Sequence, residues 1–415
     1  MRMHSLEKVE VIEREYKLIN LRSNTSRYKN AQLFDNQVKS YFSTQSICTL
    51  EEANINGLYL VGDNLIAVDE GNRVYKLIDS EFSLIYTAND IITDIKSLVY
   101  NGQKAIYISQ LSGQNVILYE NGESESFNSV CGFYHLVMAN TIFCANGDTV
   151  YFENLHNIKN LYKKAIGGNY IIMPDDAGEV VGLVEKDKGI LIFCEKGIFK
   201  FTLFGESIEH SVKRLTCTNG KILSGSVKKM GEKILFIENN RLCELCENDS
   251  VKILDCSATF KDYEVLGKAC DFNGKYAICI SDDDNDKLLF IYDYNSMGEG
   301  IYSISSSLIC DKGFIANGKE VEVLTDTRLT NGEWTSRALD LGTLCNKTLT
   351  GFYVDNKNDI ELTVTTNYGN QTYRINADQK YKKLNLSSRL FTISLKGITG
   401  LDFSSIKFKF RIKGE

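Results

Sequence analysis

Leu58-Tyr-Leu-Val61, Asn64-Leu-Ile-Ala-Val68, Arg73-Val-Tyr-Lys-Leu77 and Phe82-Ser-Leu-Ile-Tyr86 are four short apolar-alternating runs, the first three divided by Gly-Asp and Gly-Asn pairs. Runs of four to eight residues bounded by such pairs read as strands, and four in succession read as one small antiparallel sheet. The pattern recurs on both sides of residue 100. A second set comprises 97–100, 105–108, 116–119 and 123–127, and a third comprises 133–137, 141–144 and 149–152. After a less regular interval, 154–177, that holds Gly167-Gly168 and Pro174 and reads as an inserted connection or short helix, the sets resume. They fall at 180–202, 225–254 and 268–304, with a last fragment at 313–324. Each set occupies on the order of 40 residues, the period of a four-stranded propeller blade. Six or seven units fit, so the expected fold is all-β: a β-propeller of six or seven short blades over residues 57–330. One or two β-sandwiches also predict hairpins, but not a recurring set of four.

Eight Asn-Gly dipeptides support hairpins throughout, at 56–57, 101–102, 121–122, 146–147, 219–220, 273–274, 317–318 and 331–332. Both residues tolerate positive φ, as a type I′ turn requires. The chain has one proline. Beyond Trp334 the texture changes to strict alternation, as in Ile360-Glu-Leu-Thr-Val-Thr-Thr366 and Ile406-Lys-Phe-Lys-Phe-Arg-Ile412. Period two with Thr, Lys and Arg on the second face marks strands half exposed to water. Residues 331–415 are therefore expected as a C-terminal antiparallel β-sandwich. Residues 1–56 are expected as an N-terminal strand, in the run from Val9 to Ile19, followed by an extended arm or irregular connection at 22–47.

Composition narrows the function classes. Against 47 basic residues stand 54 acidic ones, a net charge of -7. Such a chain lacks the concentrated basic surface that nucleic acid or anionic lipid demands, so no nucleic-acid sequence readout is expected. No apolar run approaches the roughly 20 residues of a membrane-spanning helix, so no membrane insertion is expected. The opening residues lack the apolar core of a secretory signal, which points to synthesis and retention in the cytoplasm. The twelve cysteines fall at strand-like positions such as Cys144, Cys194 and Cys279, and read as small buried apolar residues in a reducing compartment.

No chemistry-bearing constellation stands out, and the expected catalytic, cofactor and metal residues are none. Cys243-Glu-Leu-Cys246 has zinc-like spacing without a second pair, and on a strand residues three apart point to opposite faces. Ser281-Asp-Asp-Asp-Asn-Asp-Lys287 clusters carboxylates but lacks the alternate-residue ligands and glycine of a calcium loop, and reads as a solvated hairpin. Four histidines (His4, His135, His156 and His210) sit in no nucleophile or metal motif; His135, in an apolar strand, reads as structural. Trp334, the single tryptophan, reads as a junction anchor rather than a sugar platform.

Taken together, the polar opening Asn30-Ala-Gln-Leu-Phe-Asp-Asn-Gln-Val-Lys39, the short degenerate blades and the sandwich introduced by Trp334-Thr-Ser-Arg-Ala-Leu-Asp-Leu-Gly342 resemble β-propeller structural proteins of tailed bacteriophage particles. Tail hub, nozzle and neck-associated components belong to that group. Leu289-Phe-Ile-Tyr-Asp-Tyr294 followed by Gly300-Ile-Tyr302 is similar to its blade closures, with Tyr302 where a tryptophan often stands. The resemblance implies a non-enzymatic virion protein of the tail or neck, made in the bacterial cytoplasm, without cofactors. It further implies a homo-oligomeric ring contacting other virion proteins such as tail tube, adaptor or portal-proximal subunits. The alternative is a carbohydrate-binding or carbohydrate-active propeller that contacts the host cell surface. An intracellular scaffold propeller is a third class, but the Trp-Asp and Kelch repeat signatures are absent.

Overall fold

A computed structural model describes residues 11–413, apart from 19, 23–24, 35, 162–168, 188, 205–208, 217, 219, 257–259, 305 and 329–330. The chain is all-β, organised as many small antiparallel sheets with four short 3-10 segments among the described residues.

Seven of these sheets follow one another along the sequence. The first joins Ile55–Val61, Asn64–Asp69, Arg73–Ile78 and Glu81–Thr87 in order. The second runs from Ile92–Tyr100 to Ser124–Asn128, and the third from Tyr134–Met138 to Tyr170–Ile172. The fourth runs from Val180–Lys186 to Glu209–Thr216, and the fifth from Lys228–Met230 to Val251–Ile253. The sixth is built on Cys270–Phe272, Lys275–Ser281, Lys287–Asp293 and Gly298–Ser303. The seventh takes Ile309–Cys310, Phe314–Asn317 and Glu320–Arg328 from the expected last fragment, and its fourth strand, Tyr41–Thr49, from the other end of the chain.

The central strands are apolar on both faces, because each sheet is covered by its neighbours on either side. Gly189–Cys194 is buried at every position. Its Leu191 and Phe193 pack with Ile234 and Phe236 of the fifth sheet, while Ile190 and Ile192 pack with Phe143 and Phe152 of the third. The same sharing links first to second, second to third, fifth to sixth and sixth to seventh. The seventh packs back on the first, through Cys310, Ala316 and Val321 against Leu58, Leu65 and Ala67.

The turns explain the register. Asn101-Gly102 and Asn273-Gly274 hold positive φ at both residues (50° and 76°, 53° and 82°) between paired strands, the type I′ geometry. The same turn is made without glycine by Ala139-Asn140 and Asn239-Asn240. Two Asn-Gly pairs do other work. Asn56-Gly57 lies inside a strand at a register shift, where a Cβ on Gly57 would sit 2.9 Å from the Tyr59 ring. At Asn331-Gly332, a Cβ on Gly332 would lie 2.6 Å from Ser40 Cβ. Asn219 lies outside the described residues.

Two further sheets face each other at the C-terminal end. One orders Val11–Leu18, Ile406–Lys413, Lys347–Val354 and Tyr381–Ser388; the other orders Thr25–Lys29, Glu333–Ser336, Thr392–Gly397, Ile360–Thr366 and Gly369–Ile375. Ile406, Phe408, Phe410 and Ile412 turn inward while Lys407, Lys409 and Arg411 alternate outward. Trp334 is fully buried here; its indole N–H donates to Thr25 Oγ1 (2.7 Å) and its ring meets Phe403 edge-on.

Residues 22–47, expected as an arm or irregular connection, instead carry strands. Thr25–Lys29 joins the C-terminal pair of sheets. Ala31–Phe34 and Gln37–Lys39 extend the sixth sheet from Gly298–Ser303 out to Asp402–Phe403. Tyr41–Thr49 completes the seventh. Their polar surfaces concealed this: each is short or pairs at an edge, so alternation is weak. The interval 154–177 holds the 3-10 segments Leu155–Asn160 and Asp175–Ala177 with Tyr170–Ile172 between them; Gly167 and Gly168 lie outside the described residues.

Candidate functional site: a charged cavity between the first strands

The first strands lie against one another from the first sheet to the fourth, and Lys228–Met230, Cys270–Phe272 and Ile309–Cys310 do so from the fifth to the seventh, the last touching Ile55–Val61. Between the fourth and fifth sheets the approach is so close that a Cβ on Gly182 would meet Val227 at 2.8 Å. Two adjoining cavities lie among these strands. One, of about 320 Å³, is lined by the second to fifth sheets and by Lys268 and Ala269. The other, of about 530 Å³, is lined by Phe133, Gly147, Glu179 and Glu195 among others. They share Tyr134, Gly225 and Lys268. Tyr134 Oη and Ser224 Oγ are hydrogen-bonded at 2.5 Å where the two meet.

Asp94 organises the smaller cavity. It follows a register shift at the start of Ile92–Tyr100, and its carboxylate is almost wholly buried. Lys96 Nζ and Lys268 Nζ each lie 3.5 Å from Oδ2, and His135 Nδ1 lies 3.3 Å from the same oxygen. Burial alone would raise the Asp94 carboxyl, but Lys96, Lys268 and His135 outweigh it and hold it well below the usual carboxylate range. Burial pushes the His135 imidazole below its ordinary value, Lys96 and Lys268 push it the same way, and Asp94 opposes them. The neutral ring must therefore carry its proton on Nδ1 to donate to the carboxylate. Its Nε2 has no hydrogen-bond partner and faces Gly132, where a Cβ would come within 3.1 Å. Burial also lowers the Lys268 ammonium while Asp94 raises it. Because 47% of its side chain is open to the cavity, solvent screens both effects.

The fifth sheet adds Lys228 and Lys229. Lys228 Nζ is held by both carboxylate oxygens of Asp311 at 2.6 and 2.8 Å, and Asp311 Oδ1 also accepts from the Asp271 N–H at 2.7 Å. Of this cluster the sequence singled out only His135. Asp94 and Lys96 share the strand Ile92–Tyr100, Lys228 and Lys229 share Lys228–Met230, and Lys268 precedes Cys270–Phe272; no spacing motif links these three segments, so only the folded chain brings them together.

The other sequence candidates do not converge. Cys243 is buried within Arg241–Leu245 while Cys246 is partly exposed just beyond it. Eleven cysteines fall among the described residues, all as free thiols, seven of them buried. The acidic run closes the hairpin between Lys275–Ser281 and Lys287–Asp293. Asp282 Oδ1 accepts from the N–H groups of Asp284 and Asp286, and Asp286 pairs with Lys29. Among the described residues no group of three or more His, Cys, Asp or Glu is arranged to hold a metal. His156 is exposed in Leu155–Asn160; His4 and the side chain of His210 lie outside the described residues. Among the described residues no helix is long and apolar enough to cross a membrane.

On the C-terminal pair of sheets, the Tyr353 and Tyr381 rings pack with centroids 4.5 Å apart, tilted by 38°. The Tyr381 ring lies over Gly351, where a Cβ would meet it at 2.7 Å, and Lys407 and Lys409 stand 5.7 and 5.6 Å from the Tyr353 centroid.

No protein-family model matches the sequence, and no curated protein is significantly similar to it. Among solved structures, the extracellular domain of the putative one-component system BT4673 from B. thetaiotaomicron superposes with a TM-score of 0.50 at 9% identity, over 83% of this chain and 48% of that one. The chain thus spans about half the length of that neighbour, and the likeness concerns the fold alone. The computationally designed protein Ika8 gives a TM-score of 0.40 at 10% identity over 67% of this chain and 98% of its own. BBS1N, from its complex with ARL6DN, gives 0.35 at 13% identity over 57% and 74%.

Proposed function

We propose that this chain is a structural component of a tailed bacteriophage or prophage particle, a β-propeller of seven short blades followed by a β-sandwich. In this reading the seven consecutive sheets are the blades, their first strands line the central axis, and 41–49 fastens the last blade. The domains divide at 1–56, 57–330 and 331–415, with the first segment serving the other two. The observation that carries the reading is how residues 11–49 are used. They supply strands to both sheets of the sandwich, to the sixth blade and to the seventh. Arg22 adds a clamp, reaching the Asp255 and Met297 carbonyls and standing 3.7 Å from buried Glu299. A ring and a sandwich sewn together by one segment form a stiff unit, which suits a part that transmits force and geometry between neighbours. Its partners would be copies of itself and adjoining tail or neck proteins. The role needs neither catalysis nor a cofactor. Mass spectrometry of purified particles tests it: the protein should co-purify at fixed stoichiometry, and its absence from particles removes the proposal.

A second reading, carbohydrate binding, is favoured by the Tyr353–Tyr381 pair, since flat aromatic surfaces stack on sugar rings. Glycan-array binding lost on Tyr381→Ala would support it; an array without signal would dispose of it.

A further inference from the structure

We infer that the smaller cavity between the first strands is a binding site for a phosphate-class anion, held by Lys229, Lys96 and Lys268. The inference is independent of the particle reading, since it concerns only side chains that meet inside this chain.

Four ammonium groups and two carboxylates line the cavity: Lys96, Lys228, Lys229 and Lys268 against Asp94 and Glu185. Their pairing is uneven. Lys228 is committed to Asp311 through two short contacts. Asp94 is shared by Lys96 and Lys268, each at 3.5 Å, beyond normal hydrogen-bond length for a charged pair. One carboxylate thus serves two cations, of which Lys268 also donates to the Phe133 carbonyl, and His135 adds a third donor to the same oxygen. Among the described residues Lys229 forms no ion pair, and Glu185 forms none either although it lines the same cavity. Positive charge therefore exceeds what the wall neutralises, in a space partly closed off from bulk screening.

Lysines brought to one cavity wall from three different segments are point-charge donors that suit a tetrahedral oxyanion from several sides. The volume, about 320 Å³, lies at the lower end of the range for small-ligand cavities. It adjoins the larger space beyond Tyr134, where Glu179 and Glu195 replace lysines. An anionic head would thus sit on the lysine side, and an uncharged hydroxylated remainder would extend past Tyr134. Free phosphate and a phosphomonoester share the head chemistry and differ in that remainder.

Isothermal titration of the full chain with inorganic phosphate, and separately with glycerol 3-phosphate, tests the site. One molar equivalent should bind. Lys229→Met and Lys96→Met should each weaken binding roughly ten- to hundredfold, the value of one charge-assisted contact. Lys229→Arg should retain it, which guards against misfolding as the cause. Lys221→Met, which removes the partner of Glu195 at the far end, should leave it unchanged. Tighter binding of the ester than of phosphate would identify a phosphorylated small molecule; equal binding would identify the free ion. Absence of heat with both ligands, or binding unaffected by the Lys229 and Lys96 substitutions, overturns the inference.

Discussion

Lys347 offers the sharpest test of how the C-terminal pair of sheets is held together. It opens the strand Lys347–Val354, yet it is only 2% exposed, the one lysine among the largest fully buried side chains. Its ammonium donates to three carbonyls, those of Thr343 (2.8 Å), Cys345 (3.1 Å) and Arg389 (2.5 Å), and lies 5.9 Å from the Phe391 ring centroid. It ties the approach to one strand to the turn before another. Replacing it with Met keeps most of the stem and removes all three donors. Hydrogen bonds from a charged donor contribute about 1.5–3 kcal/mol each, so the gross loss is several kcal/mol. Against this stands the desolvation of the ammonium, which the variant no longer bears and which also amounts to several kcal/mol. Because three carbonyls in a part-buried site lose their donor at once, the loss should win, by about 3 kcal/mol. With a urea dependence of about 3 kcal/mol per molar, the midpoint should fall by about 1 M. Trp334, the only tryptophan, lies in the core between the same two sheets, so its fluorescence during urea unfolding reports on the right part of the molecule. A Lys347→Met protein that unfolds at the wild-type urea concentration would refute the carbonyl cage as a stabilising device.

Three other outcomes follow from described geometry. Gly225→Ala should destabilise by at least about 2 kcal/mol, because φ is +76° and the new Cβ would lie 2.5 Å from the Gly267 carbonyl oxygen. Gly231→Ala, at φ +58° with nothing within 4 Å, should cost only about 1 kcal/mol; equal thermal midpoints for the two variants would contradict the close approach. Asp94→Asn should lower stability at neutral pH, and the gap to wild type should close as pH falls below the ordinary carboxyl value of 3.8. The sign is fixed by linkage: a carboxyl held low by Lys96, Lys268 and His135 contributes above its unfolded pKa and loses that contribution on protonation. A gap that stays constant in urea titrations from pH 7 down to 3 would rule this out. For the thiols, burial pushes Cys194, Cys243 and Cys279 up to about 12, so they should resist disulfide reagents at pH 8 in the native state while partly exposed Cys246, Cys256 and Cys345 react. Peptide mapping after brief labelling would expose any error.

The repeating sheets were legible because a strand covered on both faces must be apolar and a two-residue turn must tolerate positive φ. Both demands leave marks within ten residues. The marks fade at sheet edges. Glu209–Thr216 reads Glu-His-Ser-Val-Lys-Arg-Leu-Thr and escaped notice as the fourth strand of its sheet, since an edge strand facing water needs no apolar alternation. Tyr170–Ile172 is too short to show a period. Tyr41–Thr49 finds its partner, Glu320–Arg328, nearly the whole propeller-like segment away, and nothing local announces that pairing. Trp334 reads from the sequence as a junction anchor; the structure sets it in the core of the C-terminal pair of sheets, bonded to Thr25 of the strand beside its own. The cavity left no trace in the sequence: a lysine on each of several strands is indistinguishable from a solvated lysine until the strands are set side by side.

That Val11 pairs with Lys413 and Cys48 with Val321 dictates a timetable. As the ribosome releases the chain, residues 11–29 and 41–49 emerge long before their mates exist and must wait, unpaired, while the intervening sheets are made beside them. Contacts between chain ends are the slowest to form, and an unmated strand is prone to stick to the wrong edge. Nascent chains halted before residue 320 should therefore be protease-sensitive over 11–29 and 41–49, and for 11–18 that sensitivity should vanish only when synthesis reaches Ile406–Lys413.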